Sequence, residues 1–382
     1  MKKKISVLLK LIAVAGLLYC FLVSIGLMGD AFKGFGKGFA QELIRTTNNP
    51  FIGLFIGILA TSLIQSSSTT TSIVVGMVGA QIVVDGAAQP VLSVQNAIPI
   101  IMGANIGTTV TNTLVSMGHV GRREEFRRAI GAATVHDFFN LICVAVLFPL
   151  EQATHFLERG ATRMAAAFEG AGGVSFTSPV KAITKPTVHL IEDAAHAVTG
   201  SGLFSFIVML ILSIFILFFA LYFIVKLMKS LVVDRAEIVL NNVISKSPIL
   251  GMLAGWAFTT IVQSSSITTS LMIPLVAAGI LTLETVFPIT IGANVGTTMT
   301  AILASFAADQ PAAVVIAFAH FLFNITGTVL IYPIRAIRMI PITLARSLGD
   351  LAARKRRYAI IYVLGLFFAL PITLILISKL FK

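Results

Sequence analysis

The sequence GLFIGILATSLIQSSSTTTS at residues 53–72 recurs without a gap as GMLAGWAFTTIVQSSSITTS at residues 251–270. The chain that follows continues the match, because PIIMGANIGTT at 99–109 corresponds to PITIGANVGTT at 288–298. Matched blocks in the same order indicate an internal repeat, which has to be recognised before the fold can be predicted. The duplicated QSSS is the most polar feature of each copy and is the natural starting point for a functional interpretation.

A third matched pair, HDFFN at 136–140 and HFLFN at 320–324, follows the first two in order. Three ordered pairs divide the chain into two homologous halves with a more polar linker between them. The predicted segments are a first repeat at 1–150, a linker at 151–202, a second repeat at 203–333, and a basic segment with a final helix at 334–382.

The composition indicates a protein that faces lipid. Of the 382 residues, 57% are hydrophobic and 12% are charged, and the mean hydropathy is +0.95. Soluble domains carry about 25% charged residues. Apolar runs at 5–28, 203–225 and 359–377 approach or exceed the roughly 20 residues that a helix needs to cross a bilayer. The first run is too long for a signal-peptide core and is expected to remain as a helix. We predict an all-α polytopic membrane protein.

The charge pattern predicts the orientation. The net charge is +12, and the basic residues cluster in short segments between apolar runs. This clustering is typical of the cytoplasmic loops of a membrane protein rather than of a nucleic-acid-binding surface. The acid-containing linker is then external, the N-terminus cytoplasmic, and the C-terminus outside the plasma membrane. Equivalent elements of the halves run in opposite directions, which predicts inverted-topology repeats, a common design of secondary transporters.

The segments around each QSSS are too short to span. Residues 50–64 and 69–84 are each about 15 residues, which reach roughly 22 Å at 1.5 Å per residue. The arms 249–262 and 267–282 repeat this pattern. We expect two re-entrant helical hairpins, at 50–84 and 249–282, with polar tips inside the membrane. Two long, kinked spanning helices are the alternative interpretation.

The tips have the chemistry of an ion site. Helix N-termini favour anions, and hydroxyl groups donate hydrogen bonds without adding charge. Glutamine side chains and free carbonyl groups can coordinate a hard cation such as sodium. Packing or back-bonding of the serines is the alternative. Two tips that meet near the midplane would form one oxyanion site with cation sites beside it.

The GANxGTT segments carry a second set of polar residues. Asn105 and Asn294 share a helix face with threonines at the next two turns. Ion or substrate contact is favoured over helix packing for this face. His136 and His320 each lie four residues before an asparagine, and hydrogen bonding between helices is favoured over substrate contact for them.

The sequence contains no constellation typical of an enzyme. The serines lack a His and Asp partnership, no P-loop is present, and no His/Cys cluster has metal spacing. No cofactor is expected, and an ion gradient would have to drive transport. A passive anion channel or exchanger, and a scaffold without transport activity, stay open as alternatives. The oligomeric state is not predicted.

The duplicated QSSS with GANxGTT resembles the type II sodium-dependent phosphate cotransporter family, over most of 50–150 and 249–333. The resemblance implies sodium-coupled symport of inorganic phosphate across the plasma membrane by alternating access, with phosphate between the tips and sodium as the coupling ion. The expected phosphate-binding residues are Ser66, Ser67, Ser68, Asn105, Ser264, Ser265, Ser266 and Asn294. The expected sodium-binding residues are Gln263, Ser264, Ala293, Thr297 and Thr300, with Gln65, Thr108 and Thr111 at matching positions of the first repeat.

The chain departs from the family pattern at Ala293, at Arg122 and in its length. Ala293 stands where members commonly have serine, so only its carbonyl group could bind sodium. Arg122 aligns with an aspartate that charge-moving vertebrate members carry, which leaves the sodium stoichiometry open. The chain also lacks their longer disulfide-bonded outer loop and extra final helix, as expected for a compact bacterial form.

Overall fold

The computed structural model describes residues 2–84, 87–170, 179–200, 202–244, 247–308 and 310–380. Residues 171–178 and 201 of the predicted linker, and 381–382 of the predicted final segment, lie outside the described residues. Almost all of the described chain is helical. The elements up to the middle of the linker are α1 (Lys2–Gly34), α2 (Gly36–Thr47), α3 (Pro50–Ile64), α4 (Ser67–Gly79), β1 (Gln81–Val84), β2 (Ala87–Pro90), α5 (Val94–Gly107), α6 (Thr109–Ser116), a 3₁₀ turn (Met117–His119), α7 (Arg123–Thr154) and α8 (Phe156–Gly170).

The second part of the chain repeats the pattern of short and long helices. Its elements are α9 (Pro179–Thr199), α10 (Leu203–Ile244), α11 (Pro248–Val262), α12 (Ser265–Ala277), α13 (Leu283–Ser305), α14 (Pro311–Ile331), α15 (Arg335–Arg354), α16 (Arg357–Leu364), a π-helical turn (Gly365–Ala369) and α17 (Leu370–Leu380).

Seven helical segments of the described chain are long and apolar enough to cross a membrane, or eight if a bent pair around residue 48 is one span. The prediction of an all-α polytopic membrane protein is confirmed. The seven segments are Val7–Gly34, Val94–His119, Arg123–Thr154, Leu203–Leu231, Leu283–Ser305, Pro311–Ile331 and Arg357–Ser378.

Glycines bring α3 into backbone contact with α5. A Cβ atom at Gly57 would overlap the carbonyl oxygen of Ile100, and one at Gly103 would overlap the carbonyl oxygen of Leu54. Further along, a Cβ atom at Gly107 would come 2.7 Å from Cβ of Thr61. Small residues permit this close approach in membrane helices. Because the contacts advance in the same direction on both helices, α3 and α5 run parallel.

The second half contains the same contact between α11 and α13. A Cβ atom at Gly255 would overlap the carbonyl oxygen of Ile289, and one at Gly292 would overlap that of Met252. At the next turn, a Cβ atom at Gly296 would come 2.7 Å from Cβ of Thr259. These helices are therefore also parallel, and the matched glycines of the sequence have matched structural roles.

Each QSSS segment connects the two helices of a hairpin. Since α3 and α5 start on the same side, α4 has to bring the chain back before α5 begins. The amide of Val91 donates to the carbonyl oxygen of Ala80 at 3.0 Å, which holds the end of α4 beside the start of α5. Nδ2 of Asn96 donates to Oγ1 of Thr47 at 3.4 Å on that same side. The lengths of 15 and 13 residues for α3 and α4 recur in α11 and α12.

The returning arms end earlier than predicted. The first was predicted as far as residue 84, but α4 ends at Gly79 and Gln81–Val84 pairs antiparallel with Ala87–Pro90. The run Ile82, Val83, Val84 is β-branched and favours a strand over a further helical turn. The second arm was predicted as far as residue 282, but α12 ends at Ala277.

The returning arm of each half packs on the other half. Helix α4 lies against α13 and α14, and α12 lies against α6 and α7. A Cβ atom at Gly79 would come 2.5 Å from Cβ of Ala308, at the end of α13. Nδ2 of Asn112 on α6 donates to Oγ1 of Thr269 on α12 at 2.8 Å. The returning arms of the two hairpins therefore join the two halves of the helix bundle.

The predicted linker contains two helices, which its polar composition concealed. Helix α8 packs on α14, and α9 packs on α1 and α10. The Tyr19 and Thr187 hydroxyls share a hydrogen bond, and a Cβ atom at Gly26 would touch Val188 at 3.1 Å. Both helices place apolar residues on one face and polar residues on the other, so their average composition resembles that of a polar loop.

Candidate functional site

Both hairpin tips have the same backbone conformation. Gln65 and Gln263 are left-handed, with φ of 58° and 60°, and they end α3 and α11. Their amides donate at 2.7 Å to the carbonyl oxygens of Thr61 and Thr259. A left-handed conformation costs a residue with a side chain about 1–3 kcal/mol, so it is found where the surroundings enforce it. Here it turns the chain between the two arms.

The first serine of each tip caps the returning helix. Oγ of Ser66 accepts from the amide of Thr69 at 3.1 Å and from its hydroxyl at 2.8 Å. Oγ of Ser264 accepts from the amide of Ile267 at 3.4 Å. The next two serines of each tip form the first turn of α4 or α12, where backbone N–H groups lack partners within the helix. The positive ends of both helix dipoles lie at these turns.

The two tips line one cavity of about 260 Å³. The structure therefore brings together all eight residues of the duplicated motif. The lining residues from the tips are Ile64, Gln65, Ser66, Ser67, Ser68, Thr69, Gln263, Ser264, Ser265 and Ser266. Ser67, Ser68 and Ser265 are buried, whereas Gln65 is exposed.

Helix α10 closes one side of this cavity, which the sequence did not predict. Its contribution consists of Phe218, Leu221, Tyr222 and Val225. These residues lie in the apolar run at 203–225, which has no motif to distinguish one face from another. The Tyr222 hydroxyl is the one polar side-chain group among these four residues, but the run also contains Ser205 and Ser213, so it did not mark this face.

Thr300 connects α13 to both tips. Its hydroxyl donates to Oε1 of Gln263 at 2.7 Å and lies 3.4 Å from Oγ of Ser68. The structure thus places the Thr300 hydroxyl beside the Gln263 side-chain oxygen. Oxygen atoms from neutral side chains are the ligands that hard cations prefer.

The other expected sodium ligands of α13 make bonds within the helix. The Thr297 hydroxyl donates to the carbonyl oxygen of Ala293 at 3.1 Å, and Ala293 is fully buried. In the first repeat, the Thr108 hydroxyl donates to the carbonyl oxygen of Ala104 at 3.3 Å. Oγ1 of Thr111, at the position that matches Thr300, is buried with no hydrogen-bond partner. The two halves therefore differ at this position.

Asn105 and Asn294 are not among the described residues that line the tip cavity. Oδ1 of Asn294 lies 3.1 Å from Nε2 of His136, and Oδ1 of Asn105 lies 3.3 Å from Nε2 of His320. Each histidine thus reaches the asparagine of the opposite half. The predicted hydrogen bonding of the histidines between helices is confirmed, and phosphate contact would require the asparagines to leave these partners.

A further asparagine on each histidine helix completes this network. Nδ2 of Asn140 donates to the carbonyl oxygen of Asn105 at 3.2 Å, and Nδ2 of Asn324 donates to that of Asn294 at 3.1 Å. Nδ2 of Asn294 also donates to Oδ1 of Asn140 at 2.9 Å and to Oδ1 of Asn324 at 3.0 Å. This buried network connects the two halves, although Nδ1 of His320 has no hydrogen-bond partner in it.

Within the described residues, one mixed group has the spacing of a metal site, although the sequence showed no His/Cys cluster of that kind. Glu151, His155 and Glu158 place their ligand atoms within 4.8 Å of one another. The Glu151 carboxylate accepts from the amides of Leu157 and Glu158, and so caps the start of α8. Capping accounts for its position at the corner between α7 and α8.

Comparison with known proteins supports the resemblance. The model of the Na+/Pi-cotransporter family matches residues 20–176 and 216–346. Human sodium-dependent phosphate transport protein 2B is 35% identical over 95% of this chain and 64% of its own length. Protein 2A of Rattus norvegicus is 35% identical over 95% of this chain and 67% of its own length.

The chain spans about two thirds of the length of these curated relatives. Rabbit (Oryctolagus cuniculus) protein 2A is also 35% identical, over 97% of this chain and 68% of its own length. No solved structure matches the chain. Because the family model covers both halves with their QSSS tips, the chain belongs to the Na+/Pi-cotransporter family.

Proposed function

We propose that the protein transports inorganic phosphate together with sodium across the plasma membrane by alternating access. The observation that carries the proposal is the single cavity lined by both QSSS tips. Two hairpins from homologous halves that enclose one polar cavity are typical of secondary transporters. The names of the relatives, sodium-dependent phosphate transport proteins, supply the identity of the substrate and the coupling ion.

The tip cavity suits an oxyanion that has to be released again. Its described lining offers hydroxyls, glutamine amides and two helix N-termini, but no lysine, arginine or histidine. Hydroxyls of Ser67 and Ser68 from one tip, and of Ser265 and Ser266 from the other, would donate to the phosphate oxygens. Ser66 and Ser264 would add the helix caps. Without a basic side chain, binding depends on dipoles and on any cation that enters with the anion.

Sodium coupling follows from the same lack of basic groups. Burying an uncompensated anion in a site of low dielectric constant is very costly. A sodium ion bound by Gln263 and Thr300, with oxygen atoms of Ser264, Ala293 and Thr297 nearby, would reduce the net charge of the loaded cavity. The cation would then have to bind before the phosphate can be carried.

A second cation position in the first repeat is part of the proposal. The buried, unpartnered hydroxyl of Thr111 faces no competing hydrogen bond among the described residues, so a cation could use it without breaking one. Gln65 and Thr108 would be its companions by correspondence with the second repeat. Asn105 and Asn294 would contribute by holding the halves together beside the phosphate site.

The proposed orientation places the basic segments inside the cell. Residues 122–128 and α15 would be cytoplasmic, the N-terminus cytoplasmic, the linker external and the C-terminus outside. The segments 1–150 and 203–333 would then be inverted repeats whose relative movement opens the tip cavity to alternate sides.

Uptake of labelled phosphate into proteoliposomes, with sodium and phosphate varied independently, tests the proposal. We expect uptake that requires an inward sodium gradient and saturates with both ions. Phosphate flux that is independent of sodium would identify a passive channel or exchanger. No flux with purified, folded protein would leave the repeats as a scaffold and refute transport.

A further inference from the structure

A second cavity, of about 270 Å³, lies at the base of the second hairpin. It is formed where α7 and α15 meet the end of α12 and the start of α13. Three arginines contribute to it, and its described lining contains no acidic residue. The lining consists of Arg127, Arg128, Gly131, Val276, Gly279, Leu281, Thr282, Leu283 and Arg346.

Two of the three arginines form ion pairs with acidic residues that do not line the cavity. Nη1 of Arg127 lies 3.3 Å from Oδ1 of Asp350, and Arg346 forms an ion pair with Glu284. Arg128 has no ion-pair partner among the described residues. One guanidinium group at the cavity therefore lacks a counter-charge, and the other two are held in place by theirs.

The turn at the end of α12 lies against the uncompensated guanidinium group. Gly279 has φ of +77°, which a helix C-terminus favours, and a Cβ atom there would come 2.5 Å from Nη1 of Arg128. A larger residue in this turn would be strained and would push the end of the Arg128 side chain aside. Thr282 caps α13 immediately afterwards with a complete capping box, so the positive end of a 23-residue helix lies at the same cavity.

This arginine cavity is separate from the tip cavity. The two cavities lie at opposite ends of α12, since Ser265 is its first residue and Val276 is its last but one. Thirteen helical residues span roughly 20 Å at 1.5 Å per residue. The described linings have no residue in common. A ligand in the arginine cavity is thus not the ion held between the tips.

We propose that the arginine cavity binds a phosphate group, either as free inorganic phosphate or as the headgroup of an anionic lipid. Guanidinium groups form paired hydrogen bonds that match the spacing of phosphate oxygens. A helix N-terminus adds favourable N–H groups. The concave lining, with three arginines and no acid, distinguishes this cavity from a basic surface that is merely solvated.

Arginine modification by phenylglyoxal, read by peptide mass spectrometry, tests this inference on the purified full chain. The protein is reconstituted in phosphatidylcholine nanodiscs, with inorganic phosphate or with chloride at the same ionic strength. A parallel set contains phosphatidylglycerol and chloride. Arg356, which is exposed in the turn after α15 and does not line the cavity, is the internal control.

Slower modification of Arg128 and Arg346 than of Arg356 upon addition of inorganic phosphate would assign free phosphate. Slower modification with phosphatidylglycerol alone would assign the lipid headgroup. In Arg128→Gln, the phosphate concentration or lipid fraction needed for half-maximal protection of Arg346 should rise by about tenfold, as expected for loss of one charge-assisted contact. The matched Arg356→Gln should leave this concentration or fraction unchanged.

Ser66→Leu separates this inference from the proposed transport function, because it fills the tip cavity and leaves the arginine cavity intact. Protection of Arg128 in that variant would support an independent site, and its loss would refute independence. If neither inorganic phosphate nor phosphatidylglycerol slows the modification of Arg128 relative to that of Arg356, the proposal is overturned.

Discussion

Replacing Thr300 by valine tests the coupling site most directly. The side chain is 1% exposed, and its hydroxyl is the donor to Oε1 of Gln263 at 2.7 Å. Valine preserves the shape of threonine and replaces the hydroxyl group by a methyl group, so the packing of α13 should survive. If that oxygen is a sodium ligand, the variant loses one direct contact with the cation.

The size of the effect follows from the loss of one polar contact. Such a contact contributes about 1–2 kcal/mol, which corresponds to a factor of roughly 5–30 in an equilibrium constant. We therefore expect the sodium concentration for half-maximal phosphate uptake to rise by about tenfold. The maximal rate at saturating sodium should change much less, because the phosphate contacts from the serine tips are retained.

The assay is sodium-dependent uptake in proteoliposomes at fixed phosphate, with matched amounts of folded protein. Thr290→Val is the control, since Thr290 is buried on the same helix and its hydroxyl donates only to the carbonyl oxygen of Val286. An unchanged sodium dependence in Thr300→Val, with both variants folded, would refute the assignment of Thr300 to a cation site. A rise of equal size in Thr290→Val would attribute the effect to helix packing.

Three further predictions concern the tips and the packing around them. Ser66→Leu should abolish phosphate uptake while the chain remains folded in the membrane, and normal uptake would contradict the tip model. Gly103→Ala should lower the thermal unfolding midpoint, because overpacking costs about 1–3 kcal/mol and the helix propensity of alanine returns only about 1 kcal/mol. Gly118 is exposed, so Gly118→Ala is the control and should leave the midpoint unchanged. Equal midpoints for the two variants would argue against the backbone contact. Tyr362→Phe should lower the midpoint as well, because the Tyr362 hydroxyl donates at 3.0 Å to Asp137, whose other carboxyl oxygen has no partner. The expected loss of unfolding free energy is about 1–3 kcal/mol. A variant as stable as the parent would mean that this buried hydrogen bond contributes little.

The helix breaks at the tips could be predicted from the sequence because their signal is local. A polar QSSS between short apolar arms requires a break in the helix, and the breaks fall at Gln65 and Gln263, as expected. The ends of the arms depended on information that the repeat did not contain. Residues after Gly79 pair as strands with a segment that has no counterpart in the second half.

The partners of the shared polar face could not be predicted. Spacing placed Asn105 and Asn294 on a face with threonines, but it does not say which helix covers that face. The structure covers the asparagines with His320 and His136 from the opposite halves. Contacts between distant segments are set by topology and side-chain packing, and for the same reason Tyr222 could not be distinguished from its apolar neighbours.

The glycine contacts have a mechanical consequence. Where the backbones of α3 and α5 touch, and likewise those of α11 and α13, neither helix of a pair can slide or rotate against the other without a steric clash. Each hairpin arm is therefore rigidly coupled to the helix that follows it. In the proposed transport cycle, deformation would therefore concentrate at the seam between the halves, where hydrogen bonds and the α10 face can rearrange. A crosslink within a glycine-packed pair should then leave phosphate uptake unchanged, whereas one across the seam should abolish it.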